Sequence, residues 1–350
     1  MLVVNKSLFN NATIDSLTHI AVGAVAGDVL LGKKLGKRAM LLGALAQSIP
    51  DVDFIASFWA DTPGYLLAHR GFTHSLLFCL LATTTFASLA QHYHKQNRVG
   101  YTKWILFFAL QIGIHLFIDL FNSYGTGLLE PFSHVRLSFN ALFVADPFFT
   151  LWPMISFVML LLLKSRTHKR IFWQRFALVG CGAYLLYCVY NKLEVDNDVR
   201  EIMVAQKVSY NDYFTTPTPL NNWLWYVVAK RDKGFYVGYH SVFDKKEQID
   251  FQYFSKNDSL LQQVSSQEEL QHLIRFSKGY YTAEKWNDTV VFNDLRFGQM
   301  IGWHDPNEKF VFHYYLQKSD KDNKLVVQRG RFAKWNWKTT QSLIERIRGN

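Results

Sequence analysis

The apolar residues of the chain are concentrated in its first half, where they form six long runs. The runs cover residues 17–31, 39–60, 75–91, 104–121, 141–163 and 171–190. A helix needs about 20 apolar residues to cross a bilayer, and the last two runs meet that requirement. Pro50 interrupts the second run, because proline cannot continue a regular helix. We therefore predict a helical membrane domain of six spans over residues 1–194, in which the first three spans are short, tilted or partly re-entrant.

After residue 195 the long apolar runs give way to alternation of apolar and polar positions. Alternation with a period of two is typical of half-buried strands, and it occurs in FYVGYHSVF, TVVFNDLRFG, KFVFHYYLQK and KLVVQRGRF. QEELQHLIRF (267–276) and TTQSLIERIRG (339–349) have the spacing of amphipathic helices. The aromatic run WLWYVV fits either a core strand or an anchor at the membrane interface. The predicted fold class is a mainly α multi-pass membrane domain followed by a small α+β extramembrane domain over residues 195–350.

Charge sets the expected orientation of this membrane domain. The formal net charge is +10 although 49% of the residues are hydrophobic, and the positions of the basic residues explain this charge. Twelve of them fall in alternate connections: Lys33, Lys34, Lys37, Arg38, Lys95, Arg98, Lys103, Lys164, Arg166, Lys169, Arg170 and Arg175. The opposite connections contain three: Lys6, Arg70 and Arg136. Basic loops stay in the cytoplasm, so both termini and the C-terminal domain are expected outside, and the charge indicates topology rather than nucleic-acid binding.

Carboxylates and imidazoles gather at the expected outer ends of the apolar runs. They are Asp15, His19, Asp51, Asp53, His69, His74, His115, Asp119 and Asp146. Such groups are costly in lipid and usually face a cavity or a partner. A mixture of imidazole and carboxylate is the ligand set of Zn²⁺ or Mn²⁺. This pattern predicts a divalent metal site with one or two ions. Asp28 lies at the other end of its run, where we expect it to pair with a basic residue of 32–38.

The stretch AHRGFTHSLLF (68–78) places two of these histidines at the start of an apolar helix. Gly71 permits a turn that could direct His69 and His74 to one centre. Thr73 and Ser75 compete as the cap of the following helix. Arg70 suits an anionic substrate, because its planar guanidinium matches phosphate or carboxylate, although an anchor at headgroup level explains it equally well.

Several of these motifs together resemble a known family. DSLTH, PDVD, HRGFTHSLLF, HLFIDLFNSYGTGLLEPFS and ADP, in that order over roughly residues 15–165, resemble the bacterial inner-membrane metal-dependent hydrolase family, often called YdjM-like. The resemblance implies a multi-pass helical protein with a divalent metal site and hydrolytic activity. In a bacterial inner membrane, the outer side that the charges predict for the C-terminal domain is the periplasm. Carried over by motif, the metal ligands are His19, Asp51, Asp53, His69, His74, His115 and Asp119, with Asp146 a weaker candidate. The fourteen residues before DSLTH depart from the family pattern.

Two functional hypotheses follow. The first is a membrane-embedded hydrolase with a metal-activated water, acting on a lipid or lipid-linked phosphoester at the outer leaflet. Asp53 or Asp119 would serve as general base and Arg70 would bind the anion. The second is a non-enzymatic, metal-stabilised membrane scaffold or sensor, whose site would be closed by protein ligands. A transporter fits less well, because the ionisable residues gather on one side instead of at mid-membrane.

Overall fold

The computed structural model describes residues 9–94, 99–165, 167–245, 248–264, 266–316, 332 and 334–349, with side chains from residue 16 onward. Its N-terminal part is helical and its C-terminal part contains two antiparallel sheets, which confirms the predicted fold class. Asp15 and most of KLVVQRGRF lie outside the described side chains. The predicted domain boundary at residue 194 falls inside a continuous helix.

In the described residues of the first part, the chain forms seven α-helices and two 3-10 helices. They are α1 (Phe9–Leu35), α2 (Arg38–Gln47), a 3-10 helix (Pro50–Phe58), α3 (Thr62–Ala68), a 3-10 turn (Phe72–His74), α4 (Leu76–Tyr93), α5 (Tyr101–Asp119), α6 (Pro147–Leu162) and α7 (Lys169–Ala205). Among the described residues, α4, α5 and α7 are long and apolar enough to cross a membrane. A fourth span is possible if α2 and the following 3-10 helix, which are bent by 54°, count as one broken span. The six predicted runs all contain helix, but three or four qualify as spans.

Helix α6 is shorter than the sequence suggests. The apolar run 141–163 predicts a full span, whereas the helix contains 16 residues and begins at Pro147. Asp146 caps it by accepting hydrogen bonds from the backbone N–H groups of Phe148 and Phe149. At 1.5 Å per residue, 16 residues give about 24 Å, less than the roughly 30 Å of a bilayer core. The cap and the proline therefore fix the helix start, and the expectation of a full helical span here is wrong.

Glycines bring α1 and α2 into backbone contact. A Cβ on Gly27 would lie 3.0 Å from the Cα of Gly43 and still closer to the carbonyl oxygen of Ala39. Gln111 of α5 donates a hydrogen bond to the carbonyl of Gly23 at 3.1 Å, so α5 joins the same contact. The glycines of GAVAG thus serve helix packing, as their small-xxx-small spacing indicates.

At the far end of the bundle, Asp28 pairs with α7. Its carboxylate accepts a short bond from Arg170 Nη2 at 2.5 Å and another from Gln174 Nε2 at 2.7 Å. The expectation that Asp28 pairs within 32–38 is wrong, because the packing of α1 on α7 provides a nearer, buried cation. Lys37 donates to the carbonyl oxygen of Leu161, so two of the basic connections adjoin each other.

Among its described residues, the C-terminal domain contains two sheets, two α-helices and a short 3-10 helix (Asp258–Gln263). One sheet has the order β1 (Asp212–Pro217), β2 (Leu224–Arg231), β3 (Gly234–Ser241) and β4 (Gln252–Ser255), and the other β5 (Tyr281–Trp286), β6 (Thr289–Gln299) and β7 (Phe310–Tyr315). Helix α8 (Gln267–Phe276) coincides with the predicted QEELQHLIRF, and α9 (Trp337–Ile347) overlaps the second predicted helix. The run WLWYVV enters β2, whose first six residues are all buried, so it is a core strand.

The α1–α2 contact gives a matched test. Gly27→Ala should destabilise the protein, because its Cβ meets backbone that cannot move aside, and overpacking typically costs about 1–3 kcal/mol. Gly113→Ala in α5 is the control, since a Cβ there meets nothing within 4 Å. The midpoint of thermal unfolding in detergent should fall for Gly27→Ala and hold or rise for Gly113→Ala. Equal midpoints for the two variants would contradict the contact.

Candidate metal centre

Residues distant in the chain meet where the helix ends converge. His19 comes from α1, Asp51 from the 3-10 helix after Pro50, His74 from the turn before α4, and His115 and Asp119 from the last turns of α5. Their side chains are at most 1% exposed, except that of Asp51, which is 30% exposed. The centre is therefore a buried cluster with one carboxylate at its solvent edge.

Local sequence explains how each group reaches this point. Pro50 ends α2 and starts the 3-10 helix, which presents Asp51 in its first turn. Ser75, rather than Thr73, caps α4 by accepting a hydrogen bond from Phe78 N at 3.0 Å. This cap leaves His74 on the turn just outside the helix. His115 and Asp119 are four residues apart and share one face of α5.

Four donor atoms form a compact set. The Nε2 atoms of His74 and His115 lie 3.2 Å apart. Asp119 Oδ2 is 3.3 and 3.4 Å from them, and Asp51 Oδ1 is 3.7 and 3.6 Å from them. A regular tetrahedron around zinc, with bonds near 2.0–2.1 Å, has ligand separations of about 3.3–3.4 Å. The two imidazole nitrogens with either carboxylate oxygen therefore fit a divalent ion in donor chemistry and spacing.

A second group overlaps the first. His19 Nε2 lies 3.3 Å from Asp119 Oδ1, the other oxygen of the shared carboxylate. The rings of His19 and His115 stack with centroids 3.9 Å apart. His19, His115 and Asp119 thus offer ligand atoms within 4.8 Å of one another, as do Asp51, His74 and His115. The two groups could hold one ion each or share a single ion.

Asp53, predicted as a ligand, contacts the outer nitrogens of the histidines instead. Its Oδ2 lies 3.5 Å from His74 Nδ1 and accepts a hydrogen bond from the backbone N–H of Arg70 at 2.8 Å. Its Oδ1 lies 3.2 Å from His69 Nδ1. A carboxylate on the second nitrogen of a ligating histidine fixes the orientation and tautomer of the ring. Asp53 therefore orients His74, and the predicted ligand His69 lies beside Asp53, outside both ligand groups.

Arg70 is built into the wall of the centre. Its side chain is 2% exposed, and Nη2 lies 3.4 Å from Asp119 Oδ1. This burial excludes the alternative of an anchor at headgroup level. The left-handed backbone conformation that the turn requires occurs at Arg70 itself, with φ 58°, and not at Gly71. A non-glycine residue in this conformation is uncommon and often marks a functional site.

The sequence predicts Asp146 as a weaker metal ligand, but Asp146 belongs to neither ligand group. One of its oxygens caps α6 and the other accepts a hydrogen bond from Tyr184 OH at 3.0 Å. Its position next to Pro147 at a helix start accounts for this capping role better than for metal binding.

Two residues of the site region were missed by sequence reasoning. The Tyr124 ring lies 6.1 Å from the His69 ring and 5.2 Å from the Arg70 guanidinium. Arg136 donates to the carbonyl oxygens of Leu67 and His69 at 2.6 and 2.7 Å. The position of Tyr124 in the motif SYGTG is the sequence feature that could have indicated its place in the site. The contacts of Arg136 connect residues 69 and 67 positions apart, so no local pattern indicates them.

A bundle of apolar helices whose ends enclose buried histidines and aspartates defines an integral membrane protein with a candidate metal centre. The chain belongs to the YdjM inner membrane protein family, whose sequence pattern matches residues 14–195, and the resemblance noted above is confirmed. The matched region contains every residue of the two ligand groups.

Two curated relatives match parts of this chain. The uncharacterized protein YfhP of Bacillus subtilis (strain 168) is 29% identical over 142 residues, which are 39% of this chain and 42% of YfhP. The inner membrane protein YbcI of Escherichia coli (strain K12) is 28% identical over 122 residues, which are 34% of this chain and 69% of YbcI. The match thus spans less than half the length of YfhP. No solved structure matches the chain.

The donor set predicts a specific loss of metal. His74→Ala should lower the metal content of the purified full-length protein strongly, because it removes a ligand atom central to the first group. His134→Ala is the control, since His134 is exposed and contacts Glu130 outside both groups. Elemental analysis by mass spectrometry measures the metal-to-protein ratio. Normal metal content in His74→Ala would contradict the assignment.

The role of Asp53 predicts a weaker effect. Asp53→Asn should reduce metal affinity by about 10–100-fold without abolishing binding, because it disturbs ligand orientation and removes no ligand. Competition with a chelator of known affinity measures the change. Asp232→Asn, in the exposed β2–β3 turn, is the control. Complete loss of metal at saturating concentration would instead make Asp53 a ligand.

Proposed function

We propose that this protein is a membrane-embedded, metal-dependent hydrolase that cleaves a phosphoester carried by a lipid or a lipid-linked molecule. The observation that carries the proposal is the approach of Asp119 Oδ2 and Asp51 Oδ1 to the paired Nε2 atoms of His74 and His115, at separations of 3.2–3.7 Å. The partial exposure of Asp51 gives this set an edge open to water.

A divalent ion held by these residues, Zn²⁺ in preference to Mn²⁺, would supply an activated water and positive charge for the phosphoryl oxygen. Asp119 would bind the ion through Oδ2, and its Oδ1 contacts the guanidinium group of Arg70. Asp53, 4% exposed, keeps Nδ1 of both His74 and His69 engaged. Neither carboxylate is thus well placed as the general base that the sequence suggested.

His69 is the better proton carrier. Its side chain is 28% exposed and its Nδ1 faces Asp53, so Nε2 is the atom at which a proton can be held or moved. A carboxylate on one nitrogen and open access at the other is the usual arrangement of a general acid–base histidine. The Tyr65 ring stacks on His69 at 6.0 Å and limits its rotation.

The surroundings of Asp51 support a lipid substrate. The same 3-10 helix and the residue after it expose Phe54, Phe58 and Trp59, which are 54%, 79% and 74% exposed. Large apolar side chains of this kind suit contact with acyl chains rather than water. A substrate whose tail packs on them would present its headgroup near Asp51.

The distribution of charge supports a site on the outer side. The twelve basic residues of the alternate connections belong in the cytoplasm by the positive-inside rule. The metal centre lies at the opposite helix ends, which would place it and the C-terminal domain in the periplasm. Protease digestion of right-side-out spheroplasts tests this orientation, and full protection of the C-terminal domain would contradict it.

A metal-stabilised scaffold or sensor is the second candidate. The observation that favours it is the near-complete burial of His19, His74, His115 and Asp119. A structural site should bind its ion with full protein ligation and catalyse nothing. Activity measurements on metal-loaded protein distinguish the two.

His69→Ala provides that measurement. In lipid nanodiscs, the wild type should release phosphate from dioleoyl phosphatidic acid or cleave bis(p-nitrophenyl) phosphate, and a chelator should stop it. His69→Ala should lose about 10²–10⁴-fold in rate, the usual contribution of general acid–base catalysis, while it keeps its metal. His134→Ala should match the wild type. Stoichiometric metal with no cleavage of either probe by the wild type would favour the scaffold.

A further inference from the structure

Four basic side chains surround the backbone of Tyr124 and Gly125, where the loop after α5 meets the C-terminal domain. Arg136 Nη1 donates to the carbonyl of Gly125 at 3.4 Å, and Arg296 Nη1 to that of Tyr124 at 3.5 Å. Lys278 Nζ lies 3.1 Å from the position that a Cβ on Gly125 would occupy. Arg70 covers the Tyr124 ring. We call the group Arg136, Lys278 and Arg296 around Tyr124–Gly125 the basic seam.

Carboxylates balance only part of this charge. Arg296 pairs with Asp294 at 2.6 Å, and the Arg70 side chain pairs with Asp119. Glu130 lies 3.6 Å from Arg275 and also contacts His134. Within the described part of the chain, no ion pair joins Arg136 or Lys278 to a carboxylate. The seam therefore holds two positive charges more than its paired carboxylates neutralise.

Crowding these cations costs free energy. Partial burial, together with the charges of Arg296 and Arg136, lowers the pKa of Lys278 to about 8. Burial, together with Arg296 and Arg70, lowers the pKa of Arg136 to about 10. A group whose pKa is lowered in this way is destabilised in its charged form, and a nearby anion would offset the cost.

We propose that the basic seam is a binding subsite for a phosphate dianion. This inference rests on the proposed function, because the phosphate would belong to the substrate. Arginine offers a planar set of donors and lysine a mobile point charge, and both are common phosphate ligands. The seam adjoins the metal centre, because Arg136 Nη2 donates to the carbonyl of His69 at 2.7 Å. A lipid headgroup and a free phosphate share this chemistry.

Lys278 is the residue to change, because it is exposed and its backbone is left-handed, with φ 53°. Lys278→Asn removes the charge and keeps a residue that tolerates this conformation. Lys207→Asn is a matched control, since Lys207 is also exposed and left-handed, with φ 55°, but follows the end of α7. Lys278→Arg retains the charge.

Calorimetric titration of the full-length protein with inorganic phosphate is the first measurement. Lys278→Asn should bind phosphate about tenfold more weakly, a typical loss for one charge-assisted contact. Lys278→Arg and Lys207→Asn should bind like the wild type, and all variants should contain equal metal. In a second arm, nanodiscs with dioleoyl phosphatidic acid are compared with discs of dioleoyl phosphatidylcholine, and the KM of Lys278→Asn for phosphatidic acid should rise about tenfold.

The outcomes separate the two proposals. Loss of affinity for inorganic phosphate alone assigns the subsite to free phosphate, and loss for phosphatidic acid assigns it to a lipid headgroup. Loss of affinity without hydrolysis by any variant keeps the subsite and removes the proposed hydrolase. Equal affinity of the wild type and Lys278→Asn for both probes, or no binding by the wild type, overturns the subsite.

Discussion

The structure depends on the packing of three imidazoles and two carboxylates at the ends of apolar helices. The Nε2 atoms of His74 and His115 lie 3.2 Å apart, each close to two carboxylates, and at most one of these nitrogens can donate a proton to the other. Burying carboxylates away from water is also expensive without compensating charge. Arg70 supplies one cation, and a divalent ion at the centre of the donor set would supply the rest. The helices must therefore be held tightly enough to keep these groups together.

That hold comes from helix packing and polar contacts that lie outside the cluster. The glycine contact between α1 and α2 turns the two helices into a tight antiparallel pair, which places His19 and the 3-10 helix of Asp51 at the same end. Gln111 ties α5 to α1 through the carbonyl of Gly23. At the other end, Arg170 and Asp28 fix α7 to α1. Contacts along the whole bundle thus bring the helix ends together, and the side chains of the cluster then reach one another across the remaining short distance.

These relations decide what the sequence could predict. Local patterns predict the helix ends, the shared face of His115 and Asp119, and helix α8. Each of these features depends on residues that are close together in the sequence. The role of Asp53 does not follow from a local pattern. A ligating carboxylate faces the ion, whereas an orienting carboxylate faces the outer nitrogen of a histidine, and only the tertiary arrangement decides between the two. Asp146 was misassigned for a related reason: an aspartate before a proline is equally a helix cap. Strands β1, β4 and β5 were missed because their short segments lack clear alternation.

The C-terminal domain completes the wall of the metal centre. Tyr124 packs on Phe297 of β6 with ring centroids 4.7 Å apart, and on its other side it contacts His69 and Arg70. The domain cannot drift from this contact easily, because α7 runs without a break from Lys169 to Ala205 and anchors it.

A chain of amides reinforces that anchor. Asn191 of α7 donates to Asn222, and Asn222 donates to the carbonyl of Ala141 in the loop after α5. Through Phe297, strand β6 contacts Tyr124, which lies next to the partly exposed His69. The exposed aromatic residues belong to the same 3-10 helix as Asp51, and Arg136 of the basic residues donates to the carbonyl oxygen of His69. For the proposed function, apolar surface and positive charge beside the same cluster would match a molecule with an acyl tail and an anionic headgroup.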